Sequence, residues 1–305
     1  MRRRGFTLTE LLVGMAVAGI LGTALMRLVV SSSQFVSRQE AQLEARQTAR
    51  ATFHLISNDL RMLPNGGVSL ATPTQVDLNI PYAWGVLCRT VGSVTVASLM
   101  PIDSAQYASA QPALVGWRQP DGTYKTTEWP TISTSTNLAA CTADSIRVVP
   151  GGRLIEINLT DTVPPGTLMF LGRTARYSFK ASLAMPGRIA LFRQESPAPE
   201  QEMIGPFTSD TRFRFLTGSR LTPQDAPPAN LDSLLGLELV LIAESEQVPT
   251  ASSAPARFEL RARVKFLNSY ESEKCNKSGK WGKSGKKKGK SRWRARPCEK
   301  SKKKK

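Results

Sequence analysis

The chain has 305 residues, room for one sizeable domain or two small ones, and a net charge of +17 from 41 Lys and Arg against 24 Asp and Glu. Three of those charges sit on Arg2, Arg3 and Arg4 and thirteen fall in residues 271–305, which leaves one for residues 6–270. A generally basic protein is thereby excluded: the body is close to neutral and carries a basic tail.

The first predicted element is a long helix. Its apolar stretch runs from Phe6 to Arg27, close to the roughly 20 residues that span a bilayer. A secretory signal ends in a small-residue cleavage site. No A-x-A-like site follows Met26, and the helical pattern simply continues. That places the cut before the apolar run. Glu10 is the odd residue within it. An acid inside a membrane costs roughly 2.5–3.5 kcal/mol on insertion scales, so a partner is expected.

The stretch Gly5-Phe6-Thr7-Leu8-Thr9-Glu10-Leu11-Leu12 resembles the processing motif of type IV prepilins and type II secretion pseudopilins. The resemblance implies that a prepilin peptidase cuts between Gly5 and Phe6 and N-methylates Phe6. It also implies that Glu10, fifth in the mature chain, neutralises the Phe6 amine of a neighbouring subunit. The physics agrees, because an amine and a carboxylate are each costly in lipid and much less so as a pair. Many major pilins have a proline where this chain has Arg27; here Gly14, Gly19 and Gly22 are the candidates for a weak point in the helix. Ala18 and Gly22 form a small-xxx-small pair that lets helices approach closely.

Beyond Val30 the helix continues as an amphipathic segment over 31–63. Phe35, Val36, Leu43, Phe53, Leu55, Ile56, Leu60 and Leu63 mark its apolar face, at a period nearer 3.6 than 2. Pro64-Asn65-Gly66-Gly67 ends it. About 58 residues at 1.5 Å each predict a rod of roughly 87 Å. Phe53 to Arg61, with its Asp59-Leu60-Arg61, resembles the helix end of PilW-type minor pilins and J-type pseudopilins. His54, the only histidine, is assigned no role.

Residues 64–270 read as a β-rich head. Strands are expected at 75–80, 93–99, 114–117, 145–149, 153–159, 167–171, 175–179, 188–192, 234–243 and 257–267, separated by turn signals such as Pro120-Asp121-Gly122 and Pro150-Gly151-Gly152. In 257–267, Phe258, Leu260, Ala262, Val264 and Phe266 alternate with Glu259, Arg261, Arg263 and Lys265, the pattern of a half-buried antiparallel strand. Its end resembles the last strand of PilW-type proteins. Stretches 223–230 and 248–255 read as loops. The fold class is α+β: a long N-terminal transmembrane helix packed on an antiparallel sheet.

Cys88, Cys141, Cys275 and Cys298 are an even number in an exported chain, which suggests two disulfides; four cysteines allow three pairings. The sharp change of composition between body and tail favours Cys88–Cys141 and Cys275–Cys298. The segment between Cys88 and Cys141, rich in Ser, Thr, Ala and Gln, reads as variable surface loops. No metal-ligand spacing is present and no cofactor is expected. Gly279 to Ser284 superficially resembles a P-loop, yet the first required glycine is Lys277 and no strand precedes it. With His54 on the long helix and no paired carboxylates, an enzyme is not expected.

The tail, 271–305, holds Lys280, Lys283, Lys286, Lys287, Lys288, Arg292 and Arg294 around Trp281 and Trp293. It has nothing to build a core from and is expected to be disordered. Three readings stay open: DNA binding, with lysines on phosphates and tryptophans on bases; adhesion to an acidic surface; and a solvated charge run with no dedicated role.

These readings together point to a PilW-like minor pilin: leader 1–5, membrane or filament-core helix 6–30, its continuation 31–63, head 64–270 and tail 271–305. The head is large for a major pilin. The resemblance implies an inner-membrane precursor with a periplasmic head, later carried to the pilus or cell surface. Its implied partners are prepilin peptidase, membrane lipid and other pilins through the N-terminal helix, with DNA or an acidic surface for the tail. A J-type pseudopilin, or a DNA- or surface-binding receptor anchored by a pilin helix, are the alternatives.

Overall fold

Helix α1 (Leu8–Met62) carries the chain from its apolar start into the head without interruption, 55 residues or about 80 Å of rod. It is the first element of a computed structural model that describes residues 8–266 apart from 65, 110, 111, 121, 160 and 219. No proline interrupts α1. Pro64 stops it, since a proline disfavours helical geometry in the residue before it, and Gly66 then turns the chain with φ of 76°.

In chain order the head is β1 (Val68–Ala71), β2 (Gln75–Val91), β3 (Val94–Leu99), α2 (Pro101–Ser109), β4 (Leu114–Arg118), β5 (Tyr124–Glu128), β6 (Ile132–Thr134), α3 (Ala139–Thr142), β7 (Arg153–Ile157), β8 (Leu168–Ala181), β9 (Ile189–Glu195), β10 (Gln201–Phe207), β11 (Arg212–Thr217), β12 (Thr222–Gln224), β13 (Leu234–Glu244) and β14 (Arg257–Lys265). The long strands β2 and β8 pair antiparallel from Gln75↔Ser178 to Val86↔Leu168. Each changes its other neighbour midway. β2 pairs with β1 around Val76 and with β3 from Gly85 onward. β8 pairs with β4 over 169–172 and with β9 from Ala175 onward. This switch divides the head into two lobes on a shared two-strand spine.

The first lobe joins the spine to β9–β14 and to α1. Its core sets Ala45, Ala49, Ile56 and Leu60 of the helix against Leu78, Tyr177, Phe213, Leu239 and Leu241 of the sheet. The second lobe joins the spine to β3–β7 around Leu87, Leu99, Val115, Trp117, Ile155 and Met169. Here Gly116 is a packing requirement: a Cβ would lie 2.3 Å from Cε1 of Phe170.

Several sequence expectations are corrected. The buried face of α1 is made by Ala41, Ala45, Ala49, Thr52, Ile56 and Leu60, while Phe35, Val36 and Leu43 are exposed. Small side chains let the helix lie close on the sheet, and this contact selects alanines over bulky residues. Residues 145–149 form no strand: Ile146 and Val148 pack beside Cys88 and Cys141 as irregular chain. The expected strands 167–171 and 175–179 are one strand, β8. The segment between the cysteines is a built lobe rather than loops. Ala97, Leu99, Val115 and Trp117 are buried there, and so are Thr95, Ser98, Ser104 and Ser135 among its hydroxyl residues. Strands β10 and β11 were not anticipated. The alternation Arg212-Phe213-Arg214-Phe215 was the available signal for β11, with both phenylalanines buried.

The β8–β9 connection is held by two carboxylates of β10 and its approach. Glu202 accepts from Ser182 Oγ (2.5 Å) and from the amides of Leu183 (2.7 Å) and Ala184 (3.3 Å). Glu200 accepts from Lys180 and from Ser178 Oγ. The Lys180 bond holds the Glu200 carboxyl below the usual glutamate range, and the Ser182 bond, with the two amides, does the same for Glu202. A carboxyl depressed in the folded state contributes stability above its unfolded pKa and loses it as pH falls through the folded one. The unfolding midpoint is therefore expected to drop as pH is lowered from about 5 to about 3. Glu202→Gln should remove part of that acid sensitivity, read from midpoints across a pH series; an unchanged acid limb would contradict it.

Candidate functional site

The head covers only the C-terminal part of α1. From Leu8 to Val36 every large apolar side chain is exposed, Ile20 at 69% and Leu21 at 59%. Such a surface is unfavourable in water by roughly 25 cal/mol per Å², and it is consistent with a membrane anchor. Among the described residues α1 is the helix long and apolar enough to cross a membrane. Gly14, Gly19 and Gly22 do not break it, and beyond the adjoining helix backbone no atom lies within 4 Å of where a Cβ on any of them would stand. Glu10 falls within α1; Gly5 and Phe6 lie outside the described residues.

The other half of α1 is fixed to the first lobe at three levels. The β13–β14 connection climbs the helix, where Ser37 Oγ accepts from the Thr250 amide and Glu44 from the Glu246 amide, both at 3.0 Å. Arg46 lies over the Phe258 ring of β14, 5.6 Å from its centroid. At the helix end, buried Asp59 accepts from Tyr177 Oη (2.6 Å) and Arg193 Nη2 (3.3 Å), with Arg173 Nη2 at 3.7 Å. Arg193 also donates to Tyr177 Oη (3.0 Å) and pairs with Glu195 (2.9 Å). Burial, aided by the nearby Asp59 carboxylate, pushes the Tyr177 phenol far above its ordinary pKa, so it stays a neutral donor. The sequence reading missed this cluster. Its one signal was an acid in the last turns of a helix, where the helix dipole disfavours negative charge.

Cys88 of β2 and Cys141 of α3 are joined in a disulfide. Both are fully buried beside Val96, Ala140 and Leu154, and Arg89 grips Asp144 bidentately just outside (2.7 and 3.1 Å). His54 is exposed on α1. Cys275, Cys298 and the tail residues Lys280, Trp281, Lys283, Lys286, Lys287, Lys288, Arg292, Trp293 and Arg294 lie outside the described residues.

Residues 1–26 match the family profile of the prokaryotic N-terminal methylation motif. That motif, with the long apolar N-terminal helix and the antiparallel sheet behind it, supports a type IV pilin-like protein, a pilin or a pseudopilin. The motif marks a structural family rather than a catalytic one, and its apolar helix suits membrane anchoring of a precursor. No curated protein and no solved structure matches the chain.

Proposed function

We propose that the protein is a minor pilin of the PilW kind, matured by prepilin peptidase and built into a type IV pilus or its priming complex. The observation that carries this reading is the division of α1: residues 8–36 stand bare and apolar while the rest is bound into a head too elaborate to slide along it. In this reading the bare half packs among the helices of neighbouring subunits, and Glu10 meets a Phe6 amine there.

The test is made in cells on the full chain. The wild-type protein recovered from sheared pili is expected to begin at Phe6 and to carry one added methyl group by mass spectrometry. Gly5→Glu should stay at precursor mass in the inner membrane. Glu10→Ala should be cut normally and be missing from sheared pili. A wild-type chain in pili with residues 1–5 still attached would overturn the reading. A matured chain confined to the envelope, with loss of protein secretion on its deletion, would reassign it to the J-type pseudopilins.

A further inference from the structure

Between Gly172 and Ala175 the flank of β8 passes from β4 to β9, and at this gap the Ser196 amide, just past β9, donates to Thr174 O (3.0 Å). Thr174 lies in it, and β5 ends there at Glu128, just before Trp129, while β9 ends at Glu195. A cleft of about 300 Å³ opens over this point, lined by Asp77, Glu128, Trp129, Thr174, Arg176 and Gln194. We propose that this cleft binds a neutral saccharide ring.

Trp129 is the first argument. It is 58% exposed, whereas Trp117 is buried in the second core. It also takes φ of 50°, a left-handed conformation that a bulky residue adopts only at a cost. Its amide donates to Ala113 O (2.8 Å), which holds the turn. A strained backbone that presents an indole to solvent contributes nothing to either core. It does provide a flat aromatic wall, the surface on which the C–H face of a pyranose stacks.

The rest of the lining supplies the second argument. A sugar ring is edged with hydroxyls, each at once donor and acceptor, and it is recognised by planar polar side chains held in fixed positions. Asp77, only 8% exposed, is fixed by Arg176 through Nε and Nη2 (2.9 and 2.8 Å) and by Gln75 Nε2 (3.0 Å). Two of the five guanidinium N–H groups of Arg176 are engaged in that pair, and its side chain is 44% exposed. The Gln194 amide and Thr174 hydroxyl add donors and acceptors of both kinds. Asn79, in register with Thr174 on β2, is buried with an Oδ1 that has no partner.

Charge selects among sugars. Asp77 and Arg176 cancel, and Glu128 leaves the cleft with one negative charge. Sialic and uronic acids are disfavoured, and neutral hexoses or their N-acetyl forms fit. The volume is at the lower end for small-molecule sites, enough for one ring with part of a second.

The experiment uses the full chain purified in a detergent without a sugar headgroup, since a glucoside or maltoside would compete. Probes are immobilised cellobiose, lactose, mannobiose and chitotriose, with 3′-sialyllactose as the anionic comparison. Saturable binding to at least one neutral probe is expected, together with a loss of about tenfold or more in affinity for Trp129→Ala. Trp129→Gly, which suits the left-handed backbone, should bind as weakly while unfolding at the wild-type midpoint or above. Gln194→Ala should weaken binding several-fold. Absence of binding to every neutral probe, binding indifferent to both Trp129 variants, or a preference for the sialylated probe would each overturn the proposal.

Discussion

Replacing Asp59 with alanine is expected to destabilise the docked half of α1 by about 3 kcal/mol. Asp59 is 6% exposed and faces two guanidiniums and a phenol from β8 and β9. Removing the carboxylate leaves Arg193, itself mostly buried, with only Glu195 as a charge partner, and leaves the Tyr177 hydroxyl without its acceptor. Both groups lose water on folding, and an unpaired buried polar group costs about 1–3 kcal/mol, more when charged. The acid's unfavourable place at a helix C-terminus subtracts about 0.3–1 kcal/mol from the native pair, too little to change the sign. Asp59→Asn, which keeps size and one acceptor, should lose less than Asp59→Ala, and Tyr177→Phe about 1 kcal/mol. Denaturant unfolding of the full chain in detergent, with hydrogen exchange read over residues 49–60, measures this. A change below about 1 kcal/mol for Asp59→Ala would mean that the alanine face alone holds the helix.

The division of α1 into a bare and a docked half illustrates what was legible in the sequence. The N-terminal motif, the unbroken helix, the apolar run of β13 and the alternation in β14 are local patterns, and each could be seen in the chain. The docked face could not, because apolar periodicity weights bulk. Leu43 looks like core and is exposed, while Ala41, Ala45 and Ala49 look neutral and are buried. The continuity of β8 was hidden for a similar reason. Gly172-Arg173-Thr174 falls between the two expected strands, yet β2 pairs with it on one side throughout, which holds the strand while its other neighbour changes. Glu238 is a third case. On sequence it interrupts an apolar strand. In the sheet it lies between Arg214 of β11 and Arg263 of β14, at 2.8 Å from each, a pairing that exists only once the strands are ordered β11-β13-β14. The saccharide cleft depends on the same kind of information, since Trp129 and Asp77 meet only through the partner switch on β8.

Loss of the Cys88–Cys141 disulfide is expected to cost a comparable amount, in the other lobe. The bond closes a loop of 53 residues, and the chain-entropy relation puts its contribution at about 4 kcal/mol. That loop contains β3, α2, β4, β5 and β6, so most of what the bond restrains in the unfolded chain is the second lobe. Cys88→Ala with Cys141→Ala is the better variant than serine, because both sulfurs are buried among apolar groups and a hydroxyl there would lack a partner. The double variant should unfold earlier by about 10 °C. It should exchange amides faster in β3, α3 and β7 while leaving β13, β14 and residues 49–60 of α1 protected. Wild-type protein in reductant should behave alike, and an unchanged midpoint in both would show that packing around Ala140 and Leu154 suffices. The two lobes share only the β2–β8 spine, and neither Asp59 nor its partners touch the cysteines. Combining Asp59→Ala with the cysteine pair should therefore add to within about 0.5 kcal/mol. Coupling beyond that would mean that β2 and β8 transmit strain from one lobe to the other.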